Sequence, residues 1–237
     1  MSTPLVSVVI PTRCREEYLR QAIESVLKQE NVEKEIIVVD NGPSETTHLL
    51  CRNYPVTYVR QDPKGPSAAR NLGVLHARGE LLAFLDDDDL WPEGSLGIRL
   101  DEWKCGPRNT LVVGRARRFV SAGDGEIRFL DSIDESRHLL VLGASLMTRD
   151  SFLKVGGFDE SIAAHEDTDL WIRIKSSGTR ISYIPEICLH YRRHEGNVTA
   201  QLEEYNSHIT GVLRKHLSKK RSLSSVEGSA GNCFTIE

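Results

Sequence analysis

The residues with the clearest chemical potential in this chain are four consecutive aspartates, Asp86–Asp89, which directly follow the apolar run Leu81–Leu85. A run that is apolar at every position is typical of a strand buried on both faces, as in a parallel sheet covered by helices. In such sheets, ligands bind outside the carboxyl ends of the strands. Four adjacent carboxylates repel one another unless a cation lies among them, and a divalent ion with oxygen ligands would serve. The pattern therefore favours a metal site over the alternative, an acidic loop solvated at the surface.

A second acidic group, Glu166 and Asp167, lies at the start of a predicted helix. If the helix begins at Glu166, Asp167 shares a face with Trp171 and Ile174. Burial on that partly apolar side would raise the pKa of Asp167 toward the range of a general base. The alternative is that both acids only stabilise the N-terminus of the helix through its dipole. On local grounds alone, the dipole interpretation is favoured.

Three further groups could bind ligands. Asp40 stands at the carboxyl end of a predicted strand. Lys64 and Arg70 flank a glycine-containing loop before a helix, where cations could face a phosphate or simply be solvated. His190 and His194 lie four residues apart and could bind a metal, although a lone imidazole is more often structural or exposed.

The elements that must position these groups alternate in the first part of the chain. Strands are predicted at Leu5–Ile10, Glu35–Val39, Val56–Arg60 and Leu81–Leu85, and helices at Arg15–Gln29, after a Ser44 cap, and from a Ser67 cap to His76. This alternation predicts an α/β fold with a mostly parallel sheet, right-handed crossovers and helices on both faces.

The later part of the chain is less regular. It is predicted to contain a helix opened by Pro92, a strand at Leu111–Val120, a polar loop at 121–138, an apolar segment at 139–147, a short helix at Ser151–Val155, a strand at Ile181–Ile184 and a helix at Gln201–Leu217. We expect residues 1–217 to form a single domain. Residues 218–237 are basic and rich in Ser and Gly, and are predicted to be a disordered tail.

Composition narrows the function further. A net charge of −4 gives no indication of a nucleic-acid partner. The five cysteines are scattered, odd in number and without a CxxC pair, which predicts reduced thiols and no zinc site. No apolar run approaches the roughly 20 residues needed to span a bilayer, and the N-terminus lacks the pattern of a signal peptide. The expected location is therefore cytoplasmic.

Six segments, taken in order, resemble one known family. They are Ser7–Thr12, Glu35–Gly42, Gly65–Asn71, Phe84–Trp91 with its DxD pattern, Gly157–Arg173, and the closing segment Tyr191–His194 with Asn197 and Thr199. Together they are similar to the inverting glycosyltransferase family 2, which has the GT-A fold, a Rossmann-like mixed and mostly parallel sheet. The resemblance covers residues from about Val6 to Thr199, although it does not specify a substrate.

The resemblance implies a set of roles on the donor side. Asp40 would hydrogen-bond uracil, with Pro11, Thr12 and Arg13 lining the base pocket. Asp88 would hold a divalent ion, Mn²⁺ or Mg²⁺, on the diphosphate, with Asp86 on the ribose or metal side and His194, or else His190, near the metal. The remaining residues implied at the nucleotide-sugar are Asn41, Lys64, Arg70 and Asp87.

On the acceptor side, the resemblance makes Asp167 the general base and places Glu166 and Trp91 at the acceptor. The implied reaction is the transfer of one sugar, a hexose or an N-acetylhexosamine, from a UDP-sugar to a hydroxyl of a glycan, lipid-linked or other acceptor in polysaccharide or glycoconjugate biosynthesis. The basic tail could contact anionic lipid, on the inner face of the membrane, if the acceptor is lipid-linked.

Two departures from the family pattern bear on the donor. Arg13 and Cys14 stand where relatives usually carry an aromatic residue and Asn, so the guanidinium of Arg13 could stack on the base. The segment Asn41–Glu45 replaces a more acidic version, which could alter the ribose contacts. The absence of a long extension after residue 200 favours transfer of one sugar over processive synthesis.

Two alternative functions stay open at this point. A nucleotidyltransferase or phosphoryl-transfer enzyme also uses strand-end aspartates, but neither GxGxxG nor GxxxxGK[ST] is present. A non-catalytic nucleotide-sugar-binding protein would be suggested by loss of the DxD pattern or of the base, and both are intact.

Overall fold

The structure is a computed structural model that describes residues 4–121, 126–130, 141–162, 164–194, 210–212 and 214–216. Its strands are β1 (Val6–Thr12), β2 (Lys34–Asn41), β3 (Thr57–Gln61), β4 (Leu81–Phe84), β5 (Leu111–Ser121), β6 (Ile127–Phe129), β7 (Ser145–Thr148) and β8 (Ile181–Arg192). Its helices are α1 (Glu16–Leu27), α2 (Glu45–Cys51), α3 (Pro66–His76), α4 (Ser95–Cys105), α5 (Arg149–Lys154) and α6 (Glu166–Ser176).

The strands form one mixed sheet in the order β3-β2-β1-β4-β7-β5-β6, with β8 also paired to β5. Strands β3, β2, β1 and β4 run parallel, whereas β7 pairs antiparallel with both β4 and β5. Strand β8 is parallel to β5. The predicted fold class is therefore confirmed, and the carboxyl ends of β1, β2 and β4 meet at one edge of the sheet.

Two apolar layers cover the sheet, because alternate residues of each strand point to opposite faces. On β1, Val8 and Ile10 face one layer, which includes residues of α1 and α4, and Val9 faces the other. The second layer is built from α3, α5 and α6 and includes Trp171 and Ile174. All four residues of β4 are fully buried, as the apolar run before the aspartates predicts.

Helix α3 lies unusually close to the sheet at Gly73. A Cβ atom at this position would lie 2.3 Å from a methyl carbon of Val9, a distance that real Cβ atoms do not reach. Glycine is normally unfavourable inside a helix by about 1 kcal/mol relative to alanine. Here the close approach of α3 to the sheet explains the glycine. The same approach brings Arg70, one turn earlier on α3, to the ligand edge of the sheet.

Two strands extend beyond their predicted ends. Strand β1 continues through Pro11 to Thr12, where β4 no longer pairs with it, since the β1–β4 register ends at Val9. The missing N–H of Pro11 therefore costs no bond on that side. Strand β8 continues past Pro185 to Arg192, and its register with β5 shifts on either side of Arg115, so that the proline lies in an irregular segment rather than ending the strand.

Several predictions fall wholly or partly outside the described residues. These are the loop at 121–138, of which 122–125 and 131–138 are not described, the first part of the segment at 139–147, most of the helix at Gln201–Leu217, and the tail at 218–237. Residues 210–212 and 214–216 are helical where described. The domain boundary at residue 217 stays a prediction.

Candidate active site

The acidic turn, Asp86–Asp89, follows β4 after one further buried residue, Leu85, and lies beside the end of β1. Thr12, the last residue of β1, donates its hydroxyl to Asp87 Oδ2 at 2.7 Å. Arg15 approaches from the start of α1, with its Nη1 2.7 Å from Asp88 Oδ2 and 3.4 Å from Asp87 Oδ1. The aspartates therefore lie at the carboxyl edge of the sheet, as predicted, and a cation of the protein itself lies among them.

Burial alternates along the four aspartates of the acidic turn. Asp87 and Asp89 are buried, whereas Asp86 is half-exposed. Burial, and then repulsion by Asp88, raises the pKa of Asp87 to about 7. The same two causes raise the pKa of Asp89, which accepts the main-chain N–H of Arg192 at 2.8 Å. The buried carboxylates of Asp87 and Asp89 thus fix the conformation of the acidic turn through contacts with Thr12 and Arg192. The carboxylate of Asp87 contacts Thr12 and Arg15, and the nucleotide-sugar contact predicted for Asp87 stays a prediction.

Asp88 is the aspartate that meets a histidine. His194 Nε2 lies 3.0 Å from Asp88 Oδ2, and the imidazole ring packs 5.5 Å from the ring of Tyr18 on α1. A carboxylate and an imidazole at this separation are ligands that Mn²⁺ accepts. His190 lies further back, with its ring 4.7 Å from that of Phe129. Of the two histidines, the structure therefore brings His194 and not His190 to the acidic turn.

The donor set fits a metal that is shared with a ligand. Within the described part of the chain, no group of three His, Cys, Asp or Glu side chains is arranged to hold a metal ion by itself. Asp88 Oδ2 and His194 Nε2 nevertheless lie 3.0 Å apart, so that one oxygen and one nitrogen donor are close together. Diphosphate oxygens would complete such a set, because Mg²⁺ in particular is bound through few carboxylates together with substrate phosphates.

Arg70 links the donor and acceptor sides of the site. From α3 it donates Nη2 to Asp86 Oδ1 at 2.6 Å and Nη1 to Glu166 Oε1 at 2.9 Å. Its side chain is only 7% exposed, and its guanidinium lies 5.4 Å from the ring centre of Phe158. The sequence suggested a loop cation facing a phosphate. The structure instead places Arg70 in a buried bridge between two carboxylates, although its Nε has no partner among the described residues.

Asp167 lies in the first turn of α6, directly after Glu166. It is half-buried, and Trp171 and Ile174, one and two turns further along, are buried in the core. Burial, and then the charge of Glu166, raise the pKa of Asp167 above its ordinary value. The arrangement has the environment of a general base, because burial and a neighbouring charge raise the pKa of the carboxyl group above its ordinary range.

Asp169, two residues on, has a different environment. It is fully buried and accepts hydrogen bonds from Arg173 Nε at 2.7 Å, Lys215 Nζ at 3.0 Å and His216 Nε2 at 2.9 Å. Lys215 also contacts Asp159. Asp169 therefore fixes α6 to helical residues near the C-terminus and is not accessible to a substrate.

The predicted base pocket is centred on Asp40, which is fully buried near the end of β2. Its Oδ2 accepts the main-chain N–H of Ser44 at 3.0 Å and the hydroxyl of Tyr58 at 2.8 Å. Its Oδ1 is buried and has no partner among the described residues. Leaving such an oxygen unpaired costs about 1–3 kcal/mol, so a ligand N–H at this point would be stabilising.

The other residues predicted around the base contribute unequally. Pro11 and Thr12 are buried in β1, whereas Arg13 is exposed and its side chain lies over Gly42. Asn41 Oδ1 accepts the main-chain N–H of Lys64 at 2.9 Å and the side-chain amide of Gln61. Asn41 therefore holds the loop that carries Lys64, whose side chain is exposed.

Trp91 is the prediction that the structure changes most. The acceptor contact predicted for it is not supported, because the ring is 3% exposed and belongs to the apolar layer. Its indole N–H donates to the carbonyl of Gly143 at 2.8 Å, and the guanidinium of the buried Arg99 lies 4.3 Å from its ring centre. Trp91 anchors the end of the acidic turn to the core.

Three residues of the site carry no signal that the sequence interpretation used. Arg15 pairs with Asp88, Tyr58 binds Asp40, and Arg192 holds the acidic turn from β8. Arg192 donates Nε to the carbonyl of Asp88 at 2.6 Å and is 1% exposed. Four adjacent carboxylates require cations nearby, so the sequence could have suggested arginines as partners. That Arg15 and Arg192 are those partners depends on the tertiary fold, which brings them to Asp88.

Comparisons with known proteins identify the family of this chain. The sequence profile described as Glycosyl transferase family 2 matches residues 7–154, which include the acidic turn but not Asp167 or His194. The glycosyltransferase RT0329 of Rickettsia typhi is 27% identical over 96% of this chain and 76% of its own length. The minor teichoic acid biosynthesis protein GgaB of Bacillus subtilis is 29% identical over 84% of this chain but only 24% of its own length.

A solved structure shows the same fold. Residues 1–349 of Staphylococcus aureus TarS, in complex with UDP-GlcNAc, superpose with a TM-score of 0.69 and 18% identity, covering 83% of this chain and 60% of TarS 1–349. TarS 1–349 with UDP superposes with a TM-score of 0.66. In the described residues, no helix has the length and apolarity needed to cross a membrane. The profile match over more than half of the sequence shows that the chain belongs to glycosyl transferase family 2.

Proposed function

We propose that this chain transfers one sugar from a nucleotide-sugar donor, a UDP-sugar, to an acceptor hydroxyl with inversion at the anomeric carbon. The observation that carries the proposal is the Arg70 bridge. The buried guanidinium of Arg70 binds Asp86 on the donor side and Glu166 on the acceptor side. Glu166 directly precedes the proposed base, Asp167. Donor chemistry and acceptor chemistry would therefore meet at one point on the edge of the sheet.

The donor is inferred from the pocket around Asp40. Uracil presents an imide N–H, which matches the unpaired, buried Oδ1 of Asp40. TarS, a structural neighbour, binds UDP and UDP-GlcNAc. We place the base beside Pro11, Thr12 and Arg13, and the diphosphate toward the acidic turn. Lys64, which is exposed on a loop next to this pocket, would be free to contact the phosphates.

Asp88 and His194, with Asp86 on the ribose or metal side, would hold a divalent ion, Mn²⁺ or Mg²⁺. When bound, such an ion stabilises the negative charge that develops on the leaving diphosphate. Arg15 already contacts Asp88 at 2.7 Å, so part of the charge of the acidic turn is neutralised by the protein. Arg15 would either move aside for the ion or contribute a second positive charge beside the leaving group.

Asp167 would act as the general base. The acceptor oxygen attacks the anomeric carbon of the donor, the bond from that carbon to the diphosphate oxygen breaks, and the hydroxyl proton passes to the carboxylate of Asp167. A single displacement of this kind inverts the anomeric configuration and needs one base on the acceptor side. Glu166, fixed by Arg70, would orient the acceptor hydroxyl.

The sugar class is a hexose or N-acetylhexosamine, and the product belongs to polysaccharide or glycoconjugate biosynthesis. One relative is named for minor teichoic acid biosynthesis. Transfer of a single sugar, a cytoplasmic location and peripheral contact with a membrane stay predictions.

The two alternatives lose support for different reasons. In a nucleotidyltransferase, the attacking oxygen would approach a phosphorus atom. That reaction gives no role to Asp167, which lies on the acceptor side of the Arg70 bridge. A non-catalytic binding protein would not need the raised pKa of Asp167. Membership of the family also favours transfer.

The test is release of UDP from a panel of UDP-hexoses and UDP-N-acetylhexosamines, with Mn²⁺ or Mg²⁺ and with simple glycoside acceptors. We expect one donor to bind in the micromolar to millimolar range and to be turned over, and Asp167→Asn to bind it equally but transfer slowly. Binding of a nucleoside triphosphate with release of diphosphate would instead indicate nucleotidyl transfer. Donor binding without any turnover, across acceptors and in wild type and variant alike, would favour the non-catalytic alternative.

A further inference from the structure

Asn71, the residue after Arg70 on α3, binds both main-chain groups of one distant residue. Its Oδ1 accepts the main-chain N–H of Phe158 at 2.9 Å, and its Nδ2 donates to the carbonyl of the same residue at 2.9 Å. The same Nδ2 also donates to Glu160 Oε1 at 2.9 Å. A side-chain amide has a donor and an acceptor side by side, so it can pair with the N–H and the C=O of one residue as a neighbouring strand would. Asn71 therefore fixes the main chain at Phe158.

Phe158 lies in the loop between α5 and α6, residues 155–165, which leads to the first turn of α6. A Cβ atom at Gly157 would lie 2.8 Å from Asn71 Oδ1, so the loop approaches α3 too closely for a side chain at this position. The loop ends at His165, which has a left-handed φ of +64°. This conformation is unfavourable for a residue other than glycine, and it persists only where surrounding contacts hold the chain. The path of the loop therefore depends on contacts such as those of Asn71.

The ring of Phe158 packs against Arg70. The ring centre lies 5.4 Å from the Arg70 guanidinium, and Phe158 is 3% exposed. Its ring also packs 5.5 Å from two other rings, those of Phe84 and Phe152. A planar guanidinium next to an aromatic ring is restricted in orientation, so the position of Phe158 influences the direction of Arg70 Nη1 and Nη2. These two atoms bind Glu166 and Asp86.

Two successive residues of α3 thus contact the connection to α6 near both of its ends. Side chains of successive helical residues point about 100° apart, so Arg70 reaches Glu166 while Asn71 reaches Phe158. Helix α3 is itself held close to the sheet at Gly73. The later turns of α6 pack in the apolar layer, whereas its first turn is bound to α3 through Arg70. The position of that first turn therefore depends on α3.

We propose that Asn71 is a positioning residue for the acceptor side of the site. It holds Phe158 against Arg70 and thereby fixes the Arg70–Glu166 contact, which places the first turn of α6 beside the donor side. The inference rests on the proposed transferase function, because Glu166 and Asp167 are the residues proposed to orient and deprotonate the acceptor hydroxyl. Loss of Asn71 should therefore slow sugar transfer and leave donor binding intact.

The first test is the kinetics of the full chain carrying Asn71→Ala, a substitution that favours the helical conformation of α3. We expect kcat for sugar transfer to fall at least about tenfold, because small displacements of reacting groups are costly. The Kd of UDP should stay within about twofold of the wild-type value. Asn53→Ala is the matched control, since Asn53 is exposed and its Nδ2 donates to the main-chain carbonyl of Leu49 at 3.3 Å. The control should keep wild-type kinetics.

If Asn71→Ala is not folded at the assay temperature, Asn71→Asp replaces it with the same expected results. This substitution keeps an acceptor for the Phe158 N–H and loses only the donor to the Phe158 carbonyl and to Glu160.

A second measurement separates positioning from general destabilisation. In Glu166→Ala, Arg70 lacks the carboxylate through which Asn71 would act. Adding Asn71→Ala to this background should lower kcat by less than about threefold, compared with at least about tenfold in the wild-type background. A residue that only stabilises the fold would lower kcat by the same factor in both backgrounds.

A third measurement does not depend on turnover. The N–H of Asp169 donates to the carbonyl of His165 at 3.1 Å and reports on the start of α6, whereas the N–H of Ser177 donates to the carbonyl of Arg173 at 3.0 Å and reports on its end. In amide hydrogen exchange followed by NMR, Asn71→Ala should exchange at least about fivefold faster at Asp169 and at the wild-type rate at Ser177.

Four results would each overturn the proposal. These are an unchanged kcat in Asn71→Ala, an equal loss in the Glu166→Ala background, a loss of UDP affinity as large as the loss in kcat, and unchanged exchange at Asp169. Failure of the transferase proposal is recognised separately, by a wild-type chain that binds no UDP and transfers no sugar. The exchange experiment then decides by itself whether Asn71 holds the start of α6.

Discussion

Arg192 binds the acidic turn at two neighbouring residues, Asp88 and Asp89. Its Nε donates to the carbonyl of Asp88 at 2.6 Å, and its own main-chain N–H donates to the carboxylate of Asp89 at 2.8 Å. Its guanidinium packs 4.7 Å from the ring centre of Tyr18 and 4.6 Å from that of Phe119. One side chain thereby fixes the direction in which Asp88 points, at the cost of burying a cation among rings and carbonyls.

We predict that Arg192→Met weakens Mn²⁺ binding to the UDP-bound chain at least tenfold, because Asp88 and His194 no longer share a fixed orientation. Arg192→Lys should recover part of this loss, since an ammonium can still donate to the Asp88 carbonyl. Arg117→Met removes another ring-stacked guanidinium, which packs on Phe129, and is the control. The measurement is Mn²⁺ titration followed by electron paramagnetic resonance, and unchanged Mn²⁺ affinity in Arg192→Met would contradict the positioning role.

Removal of the Asp88 carboxylate should abolish metal-dependent turnover. Asp88→Ala is expected to lose nearly all sugar transfer while its circular dichroism stays unchanged, because Asp88 lies at a turn rather than in the core. Asp101→Ala, on the exposed face of α4, should behave as wild type. Full activity of the wild-type chain in excess chelator would show that the acidic turn does not use a metal.

The role of Asp40 can be tested by calorimetry. Asp40→Asn should weaken UDP binding by about 1–3 kcal/mol, the scale of a hydrogen bond to a charged group. The hydrogen bond from Tyr58 can persist in this variant, so the loss is assigned to the unpaired Oδ1. Asp62→Asn, in an exposed loop, is the matched control. If UDP affinity were the same in Asp40→Asn, the nucleotide would have to bind elsewhere.

Asp167→Asn should slow transfer by about 10²–10⁴, the usual contribution of a general base, with donor binding unchanged. A base acts in its deprotonated form, and the pKa of Asp167 is raised. Turnover should therefore rise with pH through that raised pKa, so that the acid limb of the rate profile lies above the range of an ordinary aspartate. The limb should disappear in Asp167→Asn. Near-normal turnover of this variant would make Glu166 the next candidate.

Asp169 is a poor catalytic control, because its replacement should affect stability. Burial alone would raise its pKa, but hydrogen bonds from Lys215 and Arg173 leave it lowered. A lowered folded-state pKa contributes stability that is present above the unfolded value, near 3.9, and is lost as pH falls through the folded value. Asp169→Asn should reduce the free energy of unfolding by about 1.5–3 kcal/mol at neutral pH.

The stability measurement is thermal unfolding between pH 3 and pH 7. The difference between wild type and Asp169→Asn should shrink toward acid pH, while the turnover per folded molecule falls far less than in Asp167→Asn. A variant with wild-type unfolding temperature at neutral pH would show that the contacts to Lys215 and His216 contribute little.

Most of the fold could be predicted because its pattern is local. Apolar strands followed by amphipathic helices define β1 to β4, and the abrupt change from Leu85 to Asp86 locates the ligand edge. The extent of β8 could not be predicted, because Pro185 is a sound strand-ending signal unless a shifted register accommodates it. Whether the register shifts depends on the pairing of β8 with β5, and a local sequence pattern does not reveal that pairing.

The sequence located several candidate site residues at the edge of the sheet, and their roles stay predictions. Asp40, Asp88, Glu166 and Asp167 lie at the predicted edge, because strand ends and helix starts were correctly located. The resemblance implied an acceptor role for Trp91, whereas its burial against Arg99 and Gly143 is visible only in the tertiary structure. Much of the pairing of cations with acids could not be read, because it joins residues far apart in sequence: 73 positions separate Arg15 from Asp88, and 96 separate Arg70 from Glu166.

The contact between Arg192 and Gln21 on α1, at 2.7 Å, spans 171 residues of sequence. Asp88 of the acidic turn is separated by 104 residues from Arg192, which binds its carbonyl. At a synthesis rate of about 5–20 residues per second, roughly 5–20 s pass between the emergence of Asp88 and that of Arg192. During that time, a nascent chain holds four carboxylates that lack the strand which orients them. If the chain binds the proposed donor, it would do so only after β8 has been synthesised and has packed against α1, because a chain that ends before β8 lacks Arg192.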